Sequence, residues 1–173
     1  MNKQATKFYS NKQENMIANL LGWSVVSGSG AAAGHPGDIS SDDWLGECKT
    51  HISPGKQIVF YSDTWSKIVE EATSKFKYPV LFVDDGSQTT YNTWCAFPYK
   101  SIAPTDSMIV PYPFKLSKNI SFNSKKLGDI ILSKNSQQIV IFATKLGKYD
   151  VGITSLSSFS TMFGEYKWEI YKM

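Results

Sequence analysis

Two acidic residues and a lysine lie close together in the segment 34–51, and their spacing constrains the fold more than any other feature of this chain. Asp38 precedes an acidic turn, and Glu47 and Lys49 follow within a run typical of a strand, Trp44–Ile52. Because alternate side chains of a β-strand share a face, Glu47 and Lys49 are expected side by side. Asp38 can approach them from a neighbouring strand. The segment therefore predicts a sheet that gathers two carboxylates and an ammonium.

The chemistry of this trio suits phosphodiester hydrolysis. Two carboxylates and one ammonium can hold Mg²⁺ and a water molecule against a phosphate. Cys48 stands between Glu47 and Lys49 and is expected to face away from them. Cys48 and Cys95 form no disulfide framework, and a buried free cysteine is typical of a reduced, cytosolic protein.

A third carboxylate, Glu14, lies upstream on a predicted helix. Ser10 can cap this helix, with Gln13 completing a capping box. The apolar stripe of the helix consists of Ile17, Leu20 and Leu21. Glu14 falls on this stripe, where a carboxylate needs a partner. It either holds a metal-bound water or a lysine at the site, or reaches solvent from the edge of the stripe.

These parts, in order, resemble the PD-(D/E)XK nuclease superfamily. A helical glutamate, a Ser-Gly loop at 27–31, Gly37-Asp38 and Glu47-Cys48-Lys49 are most similar to the archaeal-type Holliday junction resolvases and their phage relatives. The resemblance extends over residues 8–85. Resolvases of this type often carry an arginine just before the Ser-Gly loop, whereas this chain contains no arginine. Phosphate contacts would therefore be made by lysines.

The resemblance implies a catalytic set of Glu14, Asp38, Glu47 and Lys49. Asp38, Glu47 and the backbone carbonyl of Cys48 would hold Mg²⁺, with Mn²⁺ able to replace it, and Glu14 would act through a water molecule. Lys49 would orient or activate the attacking water. The expected products carry a 5′-phosphate and a 3′-hydroxyl, the expected substrate is branched DNA, and symmetric cutting implies a homodimer.

The predicted fold is α/β in the mixed, α+β sense. The first hundred residues read α-β-β-β-α-β-β, which predicts a central mixed, five-stranded-type sheet flanked by helices. This arrangement is a restriction-endonuclease-like core with a C-terminal extension. One nuclease domain, 1–173, is expected, with a core at about 8–99, a basic, proline-containing insertion at about 98–136 and C-terminal strands with a short helix at 137–173.

Patterning also predicts individual elements. Trp65, Ile68, Val69, Ala72 and Phe76 follow a helical repeat, and Val80–Val83 reads as a strand buried on both faces. In the second half we expect a helix near Lys125 to Leu132, strands at Gln138–Ala143 and Tyr149–Thr154, a helix at Leu156–Phe163 and an edge strand at Trp168–Tyr171.

Positive charge is concentrated in two places. The formal net charge is +3, but residues 100–148 are much more basic than the rest, and residues 1–9 read as a flexible basic arm. Such patches suit a polyanion, although a solvated lysine surface explains the charge equally well. The expected DNA contacts are Ser29, Lys3, Lys7, Lys12, Lys115, Lys118, Lys125 and Lys126.

Two other functions compete with a junction resolvase. Restriction and homing endonucleases use the same site on linear DNA, and would read bases with residues 98–136. A capsid, regulatory, DNA-binding or inhibitor protein would use the fold without cleaving, but degenerate sites usually lose one of the four residues. No apolar run or secretory signal is evident, so we expect no membrane and a cytoplasmic location, the host cytoplasm for a phage protein.

Overall fold

The computed structural model describes residues 3–27, 36–115, 117–134 and 137–164, and for residues 3–6 the description is limited to the backbone. The helices within these ranges are α1 Lys3–Leu21, α2 Ser62–Ser74, α3 Tyr99–Ile102, α4 Ser124–Ser133 and α5 Leu156–Phe163. The strands of the same ranges are β1 Ser24–Val25, β2 Ile39–Ser40, β3 Trp44–Lys49, β4 Ile58–Phe60, β5 Tyr78–Asp84, β6 Thr93–Phe97, β7 Met108–Pro111, β8 Ile120–Phe122, β9 Val140–Leu146 and β10 Tyr149–Ser155.

One large mixed sheet organises the protein. Its strand order is β1-β2-β3-β5-β6-β10-β9-β7, and β4 pairs with β8 in a separate two-stranded sheet. The mixed, helix-flanked architecture is confirmed, but the expectation of a five-stranded sheet is wrong, because the sheet has eight strands. The C-terminal extension supplies β10, which pairs with β6, and β9, which pairs with β10, and both strands lengthen the same sheet.

The first half of the sheet determines where the candidate site lies. Strands β1, β2 and β3 form an antiparallel meander, and α2 then leads to β5, which pairs parallel to β3. Lys49 of β3 is in register with Val83 of β5, and Asp84 is in register with Thr93 of β6. The carboxyl ends of β3 and β5 therefore lie at the same edge as the start of β6.

Helices cover both faces of the sheet. On one face, α2, α4 and the β4–β8 pair bury a cluster that includes Trp65, Phe60, Phe122 and Leu127. On the other face, α1 and α5 bury Ile17, Leu21, Phe82 and Phe159 with Trp23 and Trp44. Val80–Val83 is buried along its whole length, as its continuous apolar pattern predicts.

Three local expectations need correction. Helix α1 begins at Lys3 rather than Ser10, because residues 3–9 contain neither Gly nor Pro and continue the helix, so the predicted flexible arm and capping box are wrong. The sequence predicts only a connection at residues 56–61, but Ile58–Phe60 forms β4 because it pairs with β8. Phe76 lies beyond the end of α2 and is 98% exposed, so it does not belong to the apolar stripe of that helix.

The basic, proline-containing insertion is integrated into the fold. It provides β7, an edge strand parallel to β9, and β8, which pairs with β4. Helix α4 covers the expected range from Lys125 to Leu132, and α5 has the predicted bounds. The expected edge strand at Trp168–Tyr171 lies outside the described residues. No helix in the described ranges is both long and apolar enough to cross a membrane.

Candidate functional site

Strand β3 places Glu47 and Lys49 side by side, as the two-residue spacing predicts. The Lys49 Nζ donates to Glu47 Oε1 at 2.5 Å. The Glu47 side chain is 9% exposed and that of Lys49 is 51% exposed, so a buried carboxylate meets an ammonium that reaches solvent. This pair sits at the carboxyl end of β3.

Asp38 is held next to β3 at the entry to β2. Its backbone amide donates to the carbonyl of Gly46 at 2.8 Å, and its Oδ2 accepts from the Cys48 amide at 2.8 Å. The preceding Gly37 has a φ of +68°, and a Cβ there would lie 2.8 Å from the Leu45 side chain. Glycine at this position is therefore required for the turn that delivers Asp38.

Cys48 presents its backbone to the site and its side chain to the core. The thiol packs between α1, α5 and the sheet, and burial, followed by the charge of Asp38, raises its pKa. In an extended strand the amide and carbonyl of one residue point to the same side. Since the Cys48 amide meets Asp38, the Cys48 carbonyl is directed to the same side as that carboxylate.

Glu14 reaches the same place from α1. Gln13, fully buried, donates from Nε2 to the Lys49 carbonyl at 2.9 Å and so fixes this turn of α1 against β3. Glu14 is 7% exposed. Burial raises the pKa of Glu14 to about 7, the charges of Asp38 and Glu47 add to this rise, and Lys49 opposes it. All four predicted catalytic residues therefore lie within electrostatic reach of one another.

The carboxylates of this cluster keep Lys49 positively charged. Burial tends to lower its pKa, but the charge and hydrogen bond of Glu47, together with the charge of Asp38, raise it above the ordinary value. Lys49 therefore stays protonated near neutral pH, and its ammonium offsets part of the negative charge that Glu14, Asp38 and Glu47 concentrate here.

The donor set fits a hard divalent cation. Carboxylate and carbonyl oxygens are the ligands that Mg²⁺ prefers, and it usually takes one or two carboxylates and keeps several waters. Among the described residues, no three His, Cys, Asp or Glu side chains form a group that could hold a metal. The candidate ligands are therefore two side chains, Asp38 and Glu47, and the Cys48 carbonyl, and the Glu14 carboxylate lies near enough to interact with both side chains electrostatically.

The sequence does not predict the roles of two residues that position the site, Glu71 and Gln13. The helical repeat of α2 predicts that Glu71 lies on the side opposite the apolar stripe, yet its Oε2 accepts from the Gly37 amide at 3.1 Å and braces the turn before Asp38. Lys67 pairs with Glu71 at 3.6 Å. Gln13 was assigned to a capping box. The buried position of Gln13 on the apolar side of α1, next to Glu14, is the one feature that points to its role in fixing α1 against β3.

The predicted DNA-binding lysines lie around this edge of the sheet. Lys7 and Lys12 are exposed on α1, and Lys125 and Lys126 are exposed on the first turn of α4. Ser124, the first residue of α4, accepts from the Trp94 indole at 2.8 Å, which places this turn at the start of β6. The first turn of α4 therefore lies at the end of the sheet that carries Glu47. Lys12 lies at the same end, because the neighbouring Gln13 donates to the Lys49 carbonyl.

The other predicted contacts differ in their surroundings. Lys115 is exposed, and Lys118 pairs with the exposed Asp63 at 3.0 Å, a kind of pair that contributes little stability. Ser29 and the side chain of Lys3 lie outside the described part of the protein.

The comparisons with known proteins add no relative. No family model, curated protein or solved structure matches the chain.

Proposed function

We propose that the protein is a Mg²⁺-dependent DNA endonuclease, selective for branched DNA and most similar in function to a Holliday junction resolvase. One observation carries the proposal: α1, the entry to β2, and β3 bring Glu14, Asp38, Glu47 and Lys49 to one place. A fold has no structural need for three carboxylates around one lysine at the edge of its core, because their mutual repulsion costs stability.

The residues of the site would have separate roles in hydrolysis. Asp38 and Glu47 would hold Mg²⁺ with the Cys48 carbonyl, and Gly37 and Glu71 keep Asp38 in place. When bound, the ion would polarise the phosphate and lower the pKa of a coordinated water. Glu14, with a pKa near neutrality, is suited to accept a proton from water, and protonated Lys49 would offset charge that develops on the phosphate.

The chain path supports the same proposal. A helix, an antiparallel three-strand meander, a crossover helix and a strand parallel to the third follow one another, the order expected from the resemblance. Lysines on α1 and α4 flank the site and would contact phosphates on either side of the scissile bond. Contacts of this kind read backbone shape rather than base sequence, which favours branched over sequence-specific recognition.

The test is incubation of the wild-type protein in Mg²⁺ with four labelled DNAs: a four-way junction, a flap, a duplex and a single strand. We expect cutting of the junction, with 5′-phosphate and 3′-hydroxyl ends, and no cutting in EDTA. We also expect the junction to bind at least ~100-fold more tightly than duplex of any sequence, or about 2.7 kcal/mol. If one linear sequence binds as tightly as the junction, the protein is a sequence-specific endonuclease rather than a resolvase.

A further inference from the structure

A pocket of about 390 Å³ lies between the 3₁₀ turn at Thr90–Asn92, α4 and the start of α5. Its lining includes Tyr91, Trp94, Lys125, Gly128, Asp129 and Leu132. We propose that this pocket receives an unpaired base of the DNA that the protein cuts. The inference rests on the proposed function and adds to it a subsite that none of the catalytic residues forms.

Gly128 is the first observation that points to a ligand. It lies inside α4, where glycine costs roughly 0.5–1 kcal/mol relative to alanine. A Cβ built on Gly128 meets no atom within 4 Å, so packing does not require a glycine. Gly128 also lines the pocket, and its missing side chain keeps that wall open. The fold thus accepts a helix-weakening residue in the wall of a pocket, where a side chain would reduce the room for an occupant.

The rim carries one exposed aromatic ring, that of Tyr91, and an exposed aliphatic side chain, that of Leu132. The Tyr91 side chain is 72% exposed and Leu132 is 77% exposed, both at the pocket. The floor is rigid, because the Trp94 indole donates to Ser124 at 2.8 Å and Ser124 donates to Asn92 at 3.2 Å. Unstacked bases bind by stacking on such aromatic rings, and every base offers a π-face to them.

Charge on α4 matches a nucleotide rather than an apolar molecule. Lys125 and Asp129 face the pocket one helical turn apart. Lys125 forms no ion pair with a described residue, so its ammonium is available to a phosphate. Asp129 offers a carboxylate that can accept from the amino group of a base. A nucleotide can therefore engage the ammonium through its phosphate and the carboxylate through its base.

The pocket lies at the right distance from the catalytic residues. Lys49, Val83 and Trp94 are successive register partners across β3, β5 and β6. Register partners share a face of the sheet, and neighbouring strands are about 4.8 Å apart, so Trp94 lies roughly 10 Å from Lys49 along the sheet. DNA rises about 3.4 Å per nucleotide along the helix axis, so a base a few nucleotides from the cut would reach the pocket.

The test measures binding in EDTA with full-length protein and two duplexes, one fully paired and one with a single unpaired 2-aminopurine. Wild-type protein should quench the 2-aminopurine by stacking. Tyr91→Ala and Gly128→Leu should abolish the quenching and weaken binding of this DNA by about tenfold, with little change for the paired duplex. Phe76→Ala, an exposed aromatic at the far end of β5, and Ser133→Leu, outside the pocket on α4, should behave as wild type.

Gly128→Ala separates binding from folding. It should raise the melting temperature and still reduce quenching, an outcome that a purely structural role for Gly128 does not give. If quenching survives Tyr91→Ala and Gly128→Leu in a protein that cuts DNA, the subsite is wrong and the nuclease proposal stands. If these variants instead disrupt a dimer and leave quenching intact, the occupant is a second copy. Failure of wild-type protein to bind any DNA overturns both proposals.

Discussion

Glu14 is the carboxylate of the candidate site whose ionisation its surroundings clearly change. Burial and the charges of Asp38 and Glu47 raise its pKa from 4.5 to about 7. Between these pH values the unfolded chain releases the proton of Glu14 before the folded protein does. Stability from this residue is therefore fully present below pH 4.5 and is lost as the pH rises through 7.

Glu14→Gln should remove this loss. The stability of the variant relative to wild type should be higher at pH 8 than at pH 4 by up to about 3 kcal/mol, because each of the about 2.5 units of pKa rise is worth 1.36 kcal/mol before solvent screening reduces it. Urea unfolding at both pH values, without divalent metal, measures the change. Glu70→Gln, on the exposed side of α2, is the control. If the stability difference between variant and wild type is the same at both pH values, the surroundings of Glu14 do not raise its pKa.

The same residues show what sequence reasoning can reach. The period of two in a strand was enough to predict the pairing of Glu47 with Lys49, because strand geometry is local. The contact of Glu71 with Gly37 was not predictable, since the helical repeat alone assigned Glu71 to solvent. That contact joins residues far apart in the chain, and it depends on how α2 crosses the sheet.

At the scale of elements, α2 ends in a way that a substitution can improve. The Lys77 amide donates to Ala72 and the Phe76 amide to Thr73, the two bonds of a Schellman motif. Phe76 occupies the position that usually carries glycine, with a φ of +56°. A left-handed conformation costs an L-residue roughly 1–2 kcal/mol, and the 98% exposed ring does not offset this through packing.

Phe76→Gly should therefore raise the free energy of unfolding by about 1 kcal/mol, measured in urea. Phe76→Ala retains the Cβ and should produce little of this gain. If alanine stabilises as much as glycine, the exposed ring rather than the backbone is the unfavourable feature.

Helices and strands were predictable where the interactions that define them join residues close in sequence. The bounds of α5 follow from Ser155, whose Oγ accepts from the Ser158 amide and caps the helix. Ser10 resembles an N-cap, so the sequence predicts that α1 begins there. The helix begins at Lys3 instead, because no residue between Lys3 and Ser10 stops it. Strand order was not predictable at the edges: β7 pairs parallel to β9, a long-range contact to which no local pattern points.

At the scale of the molecule, the arrangement of charge predicts how binding depends on salt. Lysines on α1 and α4 flank the candidate site. Each phosphate contact lowers log K by about 0.9 per log unit of salt. Replacing Lys125 and Lys126 together with glutamine should reduce the slope by about 2 for all DNA sequences alike. Lys75→Gln, at the far end of α2, should leave the slope unchanged, and equal slopes for both variants would contradict the assignment.

The proposed paired cutting of a junction also predicts the state of assembly. Two symmetric cuts require two active sites related by a two-fold axis, so the protein should sediment as a dimer at micromolar concentration. A monomeric mass with and without junction DNA would argue decisively against a resolvase, although it would leave cleavage itself possible.

The most direct measurement of the central claim compares cleavage with binding in isosteric variants. Asp38→Asn and Glu47→Gln keep the shape of the site and remove one charge each. In Mg²⁺ both should cut junction DNA at least ~1000-fold more slowly than wild type while binding it within about threefold, because phosphate contacts supply most of the affinity. Asp63→Asn, which changes an exposed carboxylate, should cut as wild type. Wild-type rates for Asp38→Asn or Glu47→Gln would contradict the assigned site.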